Sequence, residues 1–539
     1  MTALQPARHD PPGDGPERRP LGGGRAEHAA RVPFPVVDEI SRHCLRADEP
    51  ETVHIEVHLP GRVDHARLRD AFHQALAGHP RILMRQEPAR WWHRRYTWQL
   101  TTTPDVDPVA FPPPGPDALA RARERALADC PPLDASPPVR LEVIERVEHD
   151  GPSDAGDGYG EGPGNGASSG GGGGTVLLIT LHHTALDGPA CLRVLATAAE
   201  LYGGADNSPA PPPVRSPGRL THEPPPPGAT PGPLRRLTRP ARIAAHHTAA
   251  GGGTGTGRAG SDTAGPAGSA GNGMLIVELP VPDRPPRAGG RAPYTVNDQL
   301  LVATFLMVAR WNREHGHAPG PERATDAPVL VTMPVDDRPR GAAMPIGNGT
   351  RLVSVGFGPE EHREAGLLTS DPPDPGAMDR LLRRTAARTR ALKSASGAQL
   401  GLSGTVLTTP VLPVGIRGAV TRALRSAAAP WTSTTLLSNI GRIPYPLDFG
   451  DAGRPTAVWF SAPARMPRGL TVTTASAGGR IQLALRWSHA LLDDAAGARL
   501  GDLFASSLAA TAWTPPSTRP APPPRSAPPE APRDEGKAR

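Results

Sequence analysis

The stretch LITLHHTALDGPACLRVL, from Leu178 to Leu195, decides how the rest of the chain is read. An apolar run leads into two adjacent histidines, an Asp-Gly pair follows, and a helical pattern begins at Pro189. Val176 to Leu181 is short and continuously apolar, as expected of a strand buried on both faces. Pro189 suits a first helical turn, and Gly203-Gly204 supplies a helix stop. The histidines therefore fall at the end of a buried strand, just before a helix N-terminus.

Three readings of that position compete. A zinc site needs three or four converging ligands, whereas adjacent residues on a strand point to opposite sides, so His182 and His183 cannot readily share a metal. A structural reading makes them core histidines, with Asp187 as the helix N-cap. A catalytic reading makes the imidazole, ordinarily of pKa about 6.5, a general base toward an alcohol or amine. Asp187 would brace the loop through an ion pair, and Gly188 would leave room for a ligand. A second histidine doublet, HHTAAGGG from His246, has no strand, Asp or helix around it and is read as carrying no chemistry.

Working outward, TVHIEVHLPG alternates: Val53, Ile55, Val57 and Leu59 face one way, and His54, Glu56 and His58 form what reads as a solvated face. DHARLRDAFHQALAGHP predicts a helix capped by Asp64, with Leu68, Phe72, Ala75 and Leu76 as its apolar stripe. YTVNDQLLVATFLMVARWNREHG predicts a helix apolar nearly all round and hence deeply buried, with Leu301, Phe305 and Val308 on one face. Strands follow in APVLVTMPVDDRPRG, at Arg351 to Val355, and in TTLLSNIG, with a basic helix MDRLLRRTAARTRALKSA between the last two. The succession predicts an α/β architecture. RIQLALRWSHALLDDAAGARLGDLFASSL closes it as strand, turn and helix. Its His489-x-x-x-Asp493 echoes His183-x-x-x-Asp187, which suggests two similar halves. Without the double histidine and the Asp-Gly, His489 reads as a solvated turn residue.

Of 539 residues, 61 are glycine and 69 proline. They concentrate in residues 1–30, an insertion at 150–174, a linker at 204–273 and a tail at 514–539, all expected to be disordered because they are poor in apolar residues. What remains is an N-terminal lobe at 31–203 and a C-terminal lobe at 274–513, roughly 350–400 residues and enough for a large core. The formal net charge of +6 forms no long basic block, so no nucleic-acid partner is expected. WWHRRYTWQL (Trp91 to Leu100) interleaves arginines with aromatics as single-strand-binding surfaces do. Read as a strand, however, it places Trp92, Tyr96, Trp98 and Leu100 on one face. Cys44, Cys130 and Cys191 have no paired spacing and read as free thiols in a reducing cytoplasm. No apolar run reaches the ~18 residues of a membrane helix, and the N-terminus has no signal-peptide core. A cytoplasmic protein without a membrane span is expected.

HHTALDG resembles the HHxxxDG motif of the chloramphenicol acetyltransferase-like superfamily. That group includes peptide-synthetase condensation domains, polyketide-associated acyltransferases and wax ester synthases. Further segments are similar in the same order: ALAGHPRILMR (Ala75 to Arg85), PPLDASPPVRLEV (Pro131 to Val143), VNDQLLVATFLMVARW, MPVDDRPRG with IGN (Ile346 to Asn348), and LLSNIG. The resemblance implies two α/β lobes with a central tunnel. It makes His183 the base that activates a hydroxyl or amine for attack on an acyl thioester, and His182 a supporting residue. Asp187 becomes a structural aspartate paired with Arg338, and Gly188 lies beside the substrate channel.

It implies no metal and no bound cofactor, the donor being an acyl-CoA or a phosphopantetheine thioester on a carrier protein, and a role in specialised metabolite biosynthesis. A non-catalytic, condensation-like scaffold for an acyl carrier protein is the alternative. Asp336 and Asp337 depart from the usual Asn and Leu, DFGDAG from Asp448 lacks the tryptophan of the corresponding condensation-domain segment, and no carrier or adenylation segment is found. The basic helix (Arg380, Arg383, Arg384, Arg388, Arg390) reads either as a dock for an acidic carrier or the coenzyme's phosphates, or as a solvated face.

Overall fold

The computed structural model describes residues 30–146, 173–210, 238–247, 271–287, 292–316, 327–336, 338, 344–394 and 401–514. The expected N-terminal tail, nearly all of the 150–174 insertion, most of the 204–273 linker and residues 515–539 lie outside the described residues.

The first half runs β1 (Arg31–Pro33), α1 (Val36–His43), β2 (Thr52–Leu59), α2 (His65–Gly78), β3 (Met84–Gln86), β4 (Thr97–Leu100), β5 (Val109–Ala110), α3 (Ala118–Ala128), β6 (Val139–Glu145), β7 (Thr175–His182) and α4 (Gly188–Gly203). The second half runs β8 (Asn272–Pro280), α5 (Val296–His315), β9 (Val329–Asp336), β10 (Thr350–Phe357), α6 (Pro359–Arg363), α7 (Pro375–Ser394), α8 (Gly401–Thr408) and α9 (Val414–Ala428). It continues with β11 (Thr435–Arg442), β12 (Ala457–Ser461), β13 (Leu470–Ala477), β14 (Arg480–Ser488) and α10 (Asp494–Ala509).

A five-stranded sheet, β12-β2-β7-β6-β5, organises the first lobe, and a six-stranded sheet, β10-β9-β11-β13-β14-β8, organises the second. β1, β4 and β3 make a small third sheet. The lobes share a strand: β12, from the second half, pairs antiparallel with β2, placing Phe460 opposite Ile55. An α/β fold with two lobes is therefore what the chain adopts.

β7 is apolar along its length because both of its faces are covered. Leu177, Ile179 and Leu181 enter the main core of the first lobe, while Val176 and Leu178 pack under the small Ala118, Ala122 and Ala126 of α3. That same helix overturns the reading of β2 as half-solvated. His54 and Glu56 are fully buried, and Arg123 of α3 donates to both Glu56 carboxylate oxygens, at 2.9 and 2.6 Å. Burial alone would raise the Glu56 carboxyl. Hydrogen bonds from His54, His58 and Arg123 outweigh it and hold the group well below the usual carboxylate range.

Asp64 caps α2 by accepting from the Arg67 N–H at 2.7 Å, and Gly204 ends α4 in the left-handed conformation at φ 71°. α5 is buried nearly all round, beneath α10 and α7 and against the second sheet. Part of the expected linker is built into the second lobe. Ile243 is buried in that core, and the Ala244 N–H donates to Asn312 at 2.8 Å. The His246 doublet is likewise placed: His246 N–H donates to the Leu491 carbonyl at 3.1 Å, beside the Trp311 ring.

The aromatic strand expected from Trp92 to Leu100 is shorter, covering Thr97–Leu100. Trp91 and Trp92 lie in the loop before it, 65% and 48% exposed. Backbone carbonyls of that loop are taken by the start of α9: Gly415 N–H donates to Trp91 at 2.9 Å and Val414 N–H to His93 at 2.7 Å. Among the described residues, no helix is long and apolar enough to cross a membrane.

Candidate active site

A cavity of about 670 Å³ lies between the lobes, with walls drawn from both. β7 ends at its edge, and the two histidines leave the strand on opposite sides. His183 lines the central cavity, whereas His182 lines a separate depression with Arg42, Gln86 and Cys130. His182 is buried, and its Nδ1 accepts from the Thr184 N–H at 3.2 Å. Burial, with the charges of His183 and Arg42 nearby, pushes its pKa down to about 3, so it is neutral.

The chain then turns tightly, Ala185 and Leu186 N–H both donating to the His182 carbonyl at 2.9 and 3.2 Å. This brings the Leu186 carbonyl within 3.1 Å of His183 Nδ1. A carbonyl only accepts, so in the neutral imidazole the proton sits on Nδ1 and the lone pair on Nε2. The backbone of His183 is fixed as well, its N–H donating to the Glu51 carbonyl at 2.8 Å.

Asp187 has two jobs, one for each oxygen. Oδ1 accepts from the Ala190 N–H at 3.0 Å and caps α4. Oδ2 accepts from Arg338 Nη2 at 2.9 Å and from the Gly349 N–H at 3.0 Å, both from the other lobe. Arg338 also donates Nε to Asp336 at 2.9 Å and Nη1 to the Gly347 carbonyl at 3.0 Å. Burial would lower the Arg338 pKa, but the hydrogen bonds and charges of Asp336 and Asp187 outweigh it and hold it above the ordinary arginine range. Asp336, the departure noted in the sequence, is thus the second carboxylate of a half-buried Asp–Arg–Asp cluster; Asp337 lies outside the described residues. Gly188 borders the cavity, where an added Cβ would touch the Phe460 ring at 3.4 Å.

The structure therefore brings together His183, Asp187, Gly188 and Arg338, and sets His182 apart. It adds residues whose importance the sequence did not show. A Cβ on Gly349 would lie 2.2 Å from Arg338 Cδ, so the arginine reaches Asp187 only across a glycine. Asn348, in the IGN segment, donates its amide to the carbonyls of Thr184 and His183 at 2.9 and 3.2 Å, and to Asp38 at 3.0 Å. Asp38 also accepts from Trp98 Nε1 at 2.9 Å, and burial pushes its pKa up to about 6, against the pull of those hydrogen bonds. Nothing in the pattern of α1 marked Asp38, since its partners are distant in sequence. Asn297 and Asn439, from the VND and SNIG segments, meet in the cavity wall at 3.1 Å.

Other candidates lead elsewhere. Arg380, Arg383 and Arg388 of α7 are paired with Glu364, Asp379 and Glu361 at 2.9, 2.6 and 2.7 Å, Arg384 also bonds Glu364, and Arg390 donates to the Pro293 carbonyl. His489 pairs with the exposed Asp494 at 3.0 Å, away from the cavity. The DFGDAG segment packs on the end of α4, where Phe449 is buried against Tyr202 without the missing tryptophan. Among the described residues, no group of three or more His, Cys, Asp or Glu side chains could hold a metal ion.

Comparison with known proteins places this geometry. The trichothecene 15-O-acetyltransferase TRI3 from Fusarium sporotrichioides superposes with a TM-score of 0.54 at 11% identity, over 90% of this chain and 95% of that one. The condensation domain of the Monacolin K polyketide synthase MokA superposes at 0.51 with 11% identity, over 89% and 97%. The chain shares the fold of this acetyltransferase and this condensation domain. The starter condensation domain of rhizomide synthetase RzmA, solved with C8-CoA and Leu-SNAC, gives 0.50 at 12% identity, over 89% and 94%. The uncharacterized protein Rv2305 of Mycobacterium tuberculosis is 25% identical over 472 residues, covering 85% of this chain and 94% of its own length. No family model matches the chain.

Proposed function

We propose that this chain is an acyltransferase that moves an acyl group from a CoA or carrier-protein thioester to a hydroxyl or amine, in specialised metabolite biosynthesis. One observation carries the reading: His183 lines a cavity walled by both lobes, with its proton held on Nδ1 by the Leu186 carbonyl. Its Nε2 is then a base facing the space where two substrates can meet.

In the proposed step, the acceptor's oxygen or nitrogen attacks the thioester carbonyl carbon as Nε2 takes its proton. The tetrahedral oxyanion collapses, the C–S bond breaks, and the imidazolium returns the proton to the departing thiolate. Base catalysis of this kind supplies about 10²–10⁴ in rate, with positioning supplying the rest. The Asp187–Arg338 pair positions the histidine turn across the lobes. The step uses the thioester's own reactivity and calls for no metal or bound cofactor. Solved neighbours that are an acetyltransferase and a condensation domain crystallised with a CoA thioester support the donor class.

The test is untargeted mass spectrometry of the native host with wild-type or His183→Ala protein at matched levels. Loss of one acyl unit from a metabolite, with its precursor accumulating, supports the enzyme and identifies both substrates by mass. An unchanged profile in an active pathway leaves a non-catalytic carrier-binding scaffold as the better account.

A further inference from the structure

α9 is built inside out. It buries Val414, Arg417, Gly418 and Thr421, while Ile416, Val420 and Leu424, one turn apart, face solvent. A surface helix ordinarily turns its apolar stripe inward. Nor is the stripe isolated: of the twelve exposed large hydrophobic side chains among the described residues, nine lie in Trp91–Trp92 and Val406–Trp431. These two segments are fastened together by the backbone bonds from Val414 and Gly415, and by Arg417 donating to the Arg94 carbonyl at 2.9 Å.

Within these two segments the charge has one sign. Residues 88–96 and 401–431 contain no Asp or Glu, whereas Arg90, Arg94, Arg95 and Arg422 are exposed there. Arg90 lies over the Trp92 ring at 5.2 Å and Arg239 over the Trp431 ring at 5.4 Å. The face also adjoins the central cavity. Arg425 of α9 and the nearby Thr432 line it, as do Cys44 and Ile40, the latter in α1, the helix on which α8 and α9 pack.

We propose that this face docks on an anionic lipid surface, so that the adjoining end of the cavity receives an apolar substrate from the bilayer. A protein partner needs a polar rim matched group by group. A lipid surface needs only apolar side chains that insert and cations level with the headgroups, with tryptophan at the boundary, and that is the composition present. Delivery of substrate rests on the acyltransferase reading; docking does not.

The full-length protein is mixed with phosphatidylcholine vesicles with and without phosphatidylglycerol, and binding is read by flotation and by tryptophan fluorescence. Wild type is expected to float with the anionic vesicles, with a blue-shifted emission, and less so as salt is raised. The combined variant Ile416→Ser/Val420→Ser/Leu424→Ser is expected to lose at least about tenfold in partition. Its melting temperature and its turnover of a soluble short-chain thioester should stay unchanged. Trp91→Ser/Trp92→Ser, in a loop, repeats the test should the helix variant unfold. His183→Ala should lose turnover and keep vesicle binding, which separates this inference from the catalytic one. Absence of flotation, or variants that float as wild type does, overturns the proposal. So does a wild-type dimer that the variant makes monomeric, or displacement of the vesicles by an acidic carrier protein or a single-stranded oligonucleotide.

Discussion

Two turns of this molecule share the pattern His-x-x-x-Asp, at His183–Asp187 and His489–Asp493, and they do different things. Each follows an apolar strand, β7 or β14, and each aspartate caps the next helix: Asp187 accepts from Ala190 N–H at 3.0 Å and Asp493 from Ala496 N–H at 2.8 Å. Up to that point the local sequence has produced the same object twice. The difference is supplied from outside the turn. Arg338 and Gly349, from the other lobe, take the second oxygen of Asp187, and Asn348 holds the carbonyls of His183 and Thr184. His489 turns to the exposed Asp494 instead. A capped turn becomes a candidate site when a second lobe closes on it.

The largest effect expected from this contrast is kinetic. His183→Ala should lower kcat/KM for acyl transfer by about 10²–10⁴, and His489→Ala should leave it within about twofold, measured with one thioester and acceptor pair. Equal losses would break the comparison. Next is the cross-lobe pair. Arg338→Met leaves Asp187 buried beside a second carboxylate and should cost about 3–5 kcal/mol in urea denaturation. A double-mutant cycle with Asp187→Asn should show coupling well above that of an exposed pair.

A pH effect separates His182 from its neighbour. Its pKa falls from 6.5 to about 3 on folding, so the unfolded chain takes up a proton that the folded chain refuses. This contribution to stability is complete above pH 6.5 and is lost as pH falls toward 3. The difference between wild type and His182→Gln melting temperatures should therefore shrink with acidification across that window. The smallest effect is that of the cap on α10: Asp493→Ala should cost about 1 kcal/mol and leave turnover alone.

Legibility followed the range of the interactions. β7, the α4 cap and the buried character of α5 were readable because a strand–turn–helix unit and an all-round apolar helix are local patterns. The misreadings arose where covering elements come from afar. β2 alternates like a half-exposed strand, yet α3 lies over its polar face and Arg123 compensates Glu56. The Trp91 loop has the period of a strand, yet its carbonyls are taken by α9, more than three hundred residues later. Gly349 and Asp38 carried no signal because each matters through side chains distant in sequence, Gly349 through Arg338 and Asp187, and Asp38 through Asn348 and Trp98.

By itself, the sequence determined the α/β class, the two lobes, and the strand–turn–helix that puts His183 beside Asp187, since hydrophobic period and capping act over a few residues. Only the tertiary structure decided which of two similar turns is braced across the lobes, which histidine faces the cavity, and that one helix keeps its apolar stripe in solvent. Those outcomes depend on packing between segments far apart in the chain, which local spacing does not encode.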